Sequence, residues 1–411
     1  LAGAVRVDGK AERFLGKAGG FVSTTQGNTT VQATQTKVMQ RTSSGVELEL
    51  TFSSPLLPGN FRALTSPTSF VWVDVRVPSG SGEGKEVQVY LDSTAEVVIR
   101  SGKSGVRDSW CSAGDNVTWD RHSVGSARSL GFRMGKVVQE PLCESGDEVN
   151  GNWGWVWLVD AVGGASGCVG VGLGEMQAWF GKHGTLPPDS NTKPRSGTGN
   201  SPPAAGLVWD LGVMEPGASR RVGMVFAIDD ILGLDFYTTP LSPWWRSYLP
   251  LNSSSSLPLE PLAEAVEKAE QWRNESDVFD AQVAANASTL SSSQATNDAL
   301  AYSMALAFRQ AMGAGQWLWH HERKEVWYAL KEQSTNGDLS TTDVIWPTAP
   351  ILALYAPWML RRALLPHFLL DSNQTSTPYS LNWTSHQLGT WPLATSGDDQ
   401  EYMPIETCAD M

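Results

Sequence analysis

LNSSSSLPLEP, residues 251–261, divides the chain into two textures. The Ser-rich run Asn252–Ser256 has no apolar period of its own and reads as a joint. Upstream of it, apolar residues recur every second position, as in strands that bury one face. Val46–Phe52 alternates in this way, and Phe70–Val77 (FVWVDVRV) is dense in β-branched and aromatic residues. Glu86–Leu91, Ala95–Arg100, Trp153–Val159, Cys168–Leu173 and Arg221–Ile228 continue the pattern between Gly, Ser, Pro and Asn clusters, which predicts an antiparallel β-sandwich-like domain over 1–250. Ser79–Lys85 reads as a hairpin tip and Gly181–Gly206 as a low-complexity loop. Downstream the period becomes helical. Pro261 suits the first turn of a helix running to Trp272. Asn297 can cap a second helix through Trp319, with Leu300, Met304, Ala307, Phe308 and Ala311 on one stripe. Thr348–Leu370 reads as one helix or two, interrupted at its prolines. A helical domain over 251–411 therefore follows the β domain, giving a multidomain α+β chain.

Composition excludes some functions. Thirty Lys and Arg against 43 Asp and Glu leave a net charge of −13 over 411 residues, the wrong sign for a phosphate-binding surface, so no nucleic-acid partner is expected. Thr348–Leu370 is the most apolar segment, but Pro350, Pro357, Pro366, Arg361 and Arg362 interrupt it, and membrane insertion is not expected. Asn-x-Ser/Thr sequons occur at Asn28, Asn116, Asn252, Asn274, Asn286, Asn373 and Asn382, several in polar, loop-like text. Four cysteines allow three pairings; Cys111 with Cys143 is favoured because both flank turn-rich text, and none has the spacing of a zinc site. Together these features predict a secreted or cell-wall glycoprotein.

The generic motifs carry little. Gly170, Gly172 and Gly174 form a G-x-G-x-G run, with no helix expected after it at dinucleotide-binding spacing. His320-His321-Glu322 lacks the i, i+4 histidine pair of a zinc protease. No metal or other cofactor is expected. Trp153, Trp155 and Trp157 fall on one face of a strand, as sandwich core or as a stacking platform for sugar rings. The chemistry concentrates after residue 330. Lys331, Glu332, Asp338, Asp343, His386 and Glu406 lie in polar text together with Trp346 and Trp391. Carboxylates beside indoles suit hydrolysis of a small polar molecule, in which one acid is held protonated while another activates water. Asp398-Asp399, with Ser-Gly beside it, reads as a solvated turn.

Several of these segments resemble the secreted glutaminase A family of fungi and bacteria. The matching text is PWWRSYL at Pro243–Leu249, Phe279-Asp280, AYSMALAFRQA at Ala301–Ala311, Lys331-Glu332, Asn336-Gly337, Thr342–Ile345 with Pro347 and Pro350, His386, Leu388-Gly389, and Met403-Pro404 with Glu406. Val5–Gly9 and Phe14–Gly16 are similar to the family's opening. The resemblance implies a β-rich N-terminal domain packed on a helical domain related to six-hairpin glycosidase toroids. It implies hydrolysis of L-glutamine to glutamate and ammonia. Gln387 stands where the family usually has Asp after this His, and Thr407 and Asp410 also depart from its pattern. The helices after residue 251 are too few for six hairpins, so the chain reads as a C-terminally truncated fragment with apolar faces uncovered.

The favoured reading is thus a glutaminase-type amidohydrolase. Glu332, Asp343, His386 and Glu406 form its acid–base set, with Lys331 as electrostatic partner. Asn336, Trp346 and Trp391 would bind substrate, and Ser340, Thr341 and Thr342 are available nucleophiles. The alternatives are a glycoside hydrolase acting through paired carboxylates and a non-catalytic carbohydrate-binding or surface module. The oligomeric state is left open.

Overall fold

A computed structural model describes every residue except 18, 100–105, 113, 147–151, 250–258, 289–292, 333–335, 373–383 and 396–402. The joint at 252–256 and the Asp398-Asp399 turn lie outside the described residues, as do Asn252, Asn373 and Asn382.

Two large sheets make up the first part. One has nine strands in the order 195–196, 116–124, 129–136, 155–160, 219–229, 68–76, 47–53, 35–41 and 25–31, every neighbouring pair antiparallel. The other has six, in the order 166–172, 203–214, 85–94, 2–7, 10–15 and 22–23. They face each other over one core. Leu48, Leu50, Val73, Phe132 and Met224 of the larger sheet meet Val5, Val89, Leu91 and Leu207 of the smaller. The strand reading holds at 47–53, 68–76, 85–94, 155–160, 166–172 and 219–229.

Several local readings are corrected. Ser79–Lys85 is not a hairpin tip, because strand 68–76 belongs to the nine-stranded sheet and strand 85–94 to the six-stranded one. Ala95–Arg100 holds a short 3-10 turn at Glu96–Val98 in place of a strand. Gly181–Gly206 includes the end of a helix at Leu173–His183 and the start of the strand at 203–214. That helix does follow the Gly170–Gly174 run. The strand before it pairs antiparallel with the strand after it, however, so no parallel βαβ unit forms to hold a dinucleotide. Trp153, Trp155 and Trp157 are 2%, 7% and 0% exposed, which makes them core and removes the sugar platform.

Among the described residues the helices are α1 (Phe61–Leu64), α2 (Leu173–His183), α3 (Leu259–Ser288), α4 (Gln294–Gly313), α5 (Thr342–Tyr355), α6 (Pro357–Ser372) and α7 (Pro404–Asp410). Leu262, Ala265, Ala269, Trp272, Asp280, Val283 and Ala287 of α3 are buried at helical spacing. Its first half covers the outer face of the nine-stranded sheet, against Trp72, Trp155 and Trp157. It therefore runs well past Trp272. Ser293, not Asn297, caps α4, its side chain accepting from the Thr296 N–H at 3.5 Å. Trp319 lies beyond that helix, in the hairpin Gly315–His320/Glu325–Leu330. The Thr348–Leu370 segment is two helices, parted at Ala356 before Pro357.

A five-stranded sheet joins the two parts. The hairpin pairs with strand 239–243, which pairs with strand 234–236, which takes 393–394 in parallel. Side chains tie the same boundary. Asp280 accepts from the Thr34 N–H at 2.8 Å, the Thr34 hydroxyl at 3.0 Å and the Gln35 amide at 3.2 Å. Arg309 donates to the carbonyls of Gln32 and Gln35 at 2.9 and 3.0 Å. Arg246 pairs with Asp229 at 2.8 Å, each side chain 2% exposed. Asp280 and Arg309 lie in the motif text quoted above and reach across that boundary, while the Arg246–Asp229 pair, from the same text, lies within residues 1–250. Among the described residues no helix is long and apolar enough to cross a membrane.

Candidate active site

The segment 330–343 leaves the hairpin and enters α5, and the candidate residues lie along it. Ser340 holds a left-handed backbone, φ 52°, at the sharp turn before the helix. Its N–H donates to the Leu330 carbonyl at 2.6 Å, while its hydroxyl accepts from the Leu330 N–H at 3.3 Å. Ser340, Thr341 and Thr342 are each 1% exposed, so none is presented as an open nucleophile.

At the start of α5 the Thr341 hydroxyl donates to Glu332 Oε2 at 3.2 Å. Asp343, in the first turn, has Oδ1 3.4 Å from His386 Nε2; the carboxylate is 39% exposed and the imidazole 3%. His386 is fixed through its own carbonyl, which accepts from the Thr342 N–H at 2.8 Å, and through Nδ1, 2.6 Å from Gln387 Oε1. Glu332, Asp343 and His386 are thus gathered around one helix start. Glu406 is exposed in the first turn of α7, a helix that packs against α5.

The other candidates are placed differently. Trp346 is 58% exposed on α5. Asn336 accepts from the Asp338 N–H at 3.0 Å, as a turn residue does. Lys331 and Trp391 belong to a second space, a cleft of about 510 Å³ between the β part and the hairpin, with Lys331 Nζ 4.8 Å from the Trp391 ring centre. Neither Glu332 nor Asp343 lines that cleft. Adjacent residues in extended chain point to opposite sides, which accounts for Lys331 lining the cleft and Glu332 not. A larger groove of about 1140 Å³ runs along α3 beside Phe61, Val278 and Tyr355, with its acid Glu275 occupied by the amides of Asn60 and Gln271, both at 2.8 Å.

Sequence reasoning passed over three groups here. His367 on α6 is buried, with Nε2 2.6 Å from the Ser340 carbonyl. Its N–H therefore donates there, and burial pulls its pKa down to about 4. Asp230 and Gln316 line the 510 Å³ cleft, and the Gln316 amide donates to Asp230. Burial, then the neighbouring charge of Asp229, pushes Asp230 up to about 7. Burial also raises Asp229, against the attraction of Arg246. The signal available in sequence was the Asp229-Asp230 doublet closing an apolar strand. Among the described residues no group of three His, Cys, Asp or Glu could hold a metal.

Cys111 and Cys143 form a disulfide, while Cys168 is free and buried and Cys408 free and exposed. Asn28, Asn116 and Asn274 are exposed; Asn286 is half-buried, 3.3 Å from the Tyr355 hydroxyl.

An antiparallel β part clamped onto a helical part of six-hairpin type defines the class. The signature described as the glutaminase A six helical-hairpin domain matches residues 297–411, and a domain of unknown function, DUF5127, matches residues 34–286. The chain belongs to the glutaminase A family. It is 28% identical to glutaminase A of Aspergillus oryzae over the whole chain and 56% of that protein. To a probable glutaminase of Arthroderma benhamiae it is 32% identical over 42% of the chain and 19% of that protein. The chain thus spans about half the length of the first relative and less of the second. A putative kojibiose phosphorylase from the human microbiome superposes with a TM-score of 0.35 at 8% identity, over 76% of this chain and 31% of that one, too distant to bear on function.

Proposed function

We propose that this chain carries part of the catalytic apparatus of a hydrolase that splits the side-chain amide of L-glutamine into glutamate and ammonia. The observation that carries the reading is the meeting of Asp343, His386 and the Glu332–Thr341 pair at the start of α5, in a chain of this family. Asp343 reaches solvent and takes a proton from water as the water oxygen bonds to the amide carbon. The oxyanion collapses, the C–N bond breaks, and the departing nitrogen takes the proton that Asp343 and His386 share. Glutamate and ammonia leave with atoms balanced and no net oxidation. Glu332 orients Thr341 beside the attack line, and Glu406 supplies a further acid from α7.

The test is ammonia release from glutamine by purified protein, with reducing ends from an oligosaccharide panel measured in parallel. Asp343→Asn and His386→Asn should each lower ammonia release by about 10²–10⁴-fold with the fold retained. Gln387→Asp, which restores the family's usual residue against His386 Nδ1, should raise it. Reducing ends without ammonia would replace the amidase with a glycosidase. The same reading makes the protein exported, supported by the disulfide and the exposed sequons at Asn28 and Asn116; an endoglycosidase-sensitive mobility shift checks it.

A further inference from the structure

Strand 25–31 (TQGNTTV) ends the nine-stranded sheet and pairs on one side only, with strand 35–41. Thr25–Thr30 are all exposed. Among the described residues, the backbone bonds of 25–31 run only to 35–41. The outward row of N–H and C=O groups can therefore template a further strand. Native edges are blunted by charge, proline, bulges or cover. This edge has neither charge nor proline, and Thr25, Thr29, Thr30 and Val31 are β-branched strand formers. A register shift between Gln26 and Thr29 makes a bulge, but Thr29–Val31 run in regular register against Thr36–Val38, so a templating stretch remains. Asn28 stands in the bulge, exposed, as the acceptor of the sequon Asn28-Thr29-Thr30.

The opposite end of the sheet is finished by the chain itself. Strand 195–196 pairs with the start of strand 116–124. Arg121–Asp189 at 2.8 Å, Lys193–Asp120 at 3.2 Å and a 2.8 Å bond from Lys193 to the Trp119 carbonyl strap the segment before it along that edge. Asn116, also an exposed acceptor, sits at an edge that is already covered.

We propose that an N-linked glycan on Asn28 covers the open edge, and that a second copy of the chain adds to strand 25–31 when the glycan is missing. The Asn28 amide nitrogen bonds to C1 of an oligosaccharide carried on a lipid diphosphate of the secretory pathway. The C1–O bond breaks, and the proton lost by the nitrogen leaves with the lipid diphosphate. The bulky, solvated glycan fills the space a partner strand would take. The same edge on two copies is self-complementary, so the uncovered species is a symmetric dimer. The inference rests on the export reading for the glycan to be made, and the mobility shift checks that reading separately.

The test is secretion of wild type, Asn28→Gln, Asn28→Lys and Asn116→Gln from a eukaryotic host, with peptide mass spectrometry for occupancy and light scattering for protein mass. Wild type should carry a glycan at Asn28. Asn28→Gln should rise to about twice the wild-type protein mass as concentration increases. Asn116→Gln should keep the wild-type mass. Asn28→Lys should keep it too, although it has no glycan, because a charge on the edge takes over the same task. A shared urea midpoint separates association from misfolding. The inference is overturned if Asn28 is unmodified, if Asn28→Gln keeps the wild-type mass, or if Asn28→Lys or Asn116→Gln associates as Asn28→Gln does. A glycan at Asn116 with none at Asn28 sinks this inference alone; no glycan at any acceptor sinks the export reading with it.

Discussion

Asp230→Asn should make the protein more stable at pH 8 and change it little at pH 4. The folded carboxyl titrates at about 7, raised first by burial and then by the charge of Asp229. The unfolded carboxyl titrates near its ordinary 3.8. Between these values the folded state keeps a proton that the unfolded state gives up. Unfolding then releases a proton, so stability falls as pH rises through that window and levels off above about 7. The gap is roughly 3 pKa units, and at 1.36 kcal/mol each the burden at pH 8 is at most about 4 kcal/mol. Asparagine keeps the shape and a polar partner for Gln316 while removing the titration. The variant's advantage should therefore grow from near zero at pH 4 to a few kcal/mol at pH 8. Urea unfolding of both proteins at the two pH values measures it, as a shift of midpoint with unchanged slope. An advantage equal at both pH values, or a less stable variant at pH 8, would refute the buried-charge argument.

Two further outcomes concern the frame. Asp280→Ala strands the Thr34 N–H and the Gln35 amide at the boundary between the parts, and should lower stability by about 2–3 kcal/mol; an unchanged urea midpoint would show that α3 docks without this anchor. His367 titrates at about 4 in the fold against an ordinary 6.5, so the unfolded state binds the extra proton and stability is lost as pH falls from 6.5 toward 4. That loss amounts to about 3 kcal/mol. His367→Gln should flatten the stability profile over that window, and an unaltered slope would assign the acid sensitivity to other groups.

What sequence made legible follows the range of the forces involved. Alternation is local, so the strands at 47–53 and 68–76 could be read without knowing their partners. Which sheet a strand joins is not local. The short polar run at 79–85 looks the same whether it closes a hairpin or crosses between sheets, and here it crosses. The second half of the helix from 259 is not legible locally, because its buried Asp280 is satisfied by Thr34 and Gln35, more than 240 positions away. The acid–base residues were legible as chemical types, and Asp343 and His386 do meet. Lys331 lines the 510 Å³ cleft and Glu332 does not, as the alternation of side chains along extended chain allows. Asp230 differs in kind. Its unusual proton affinity comes from depth and from Asp229, and Asp229 in turn holds Arg246 from the PWWR text. Arg246 attracts Asp230 as well, but burial and Asp229 outweigh it. The raised acid at Asp230 therefore reflects a buried pair next door, because Asp229 takes the hydrogen bonds of Arg246 and leaves Asp230 only its weaker long-range attraction.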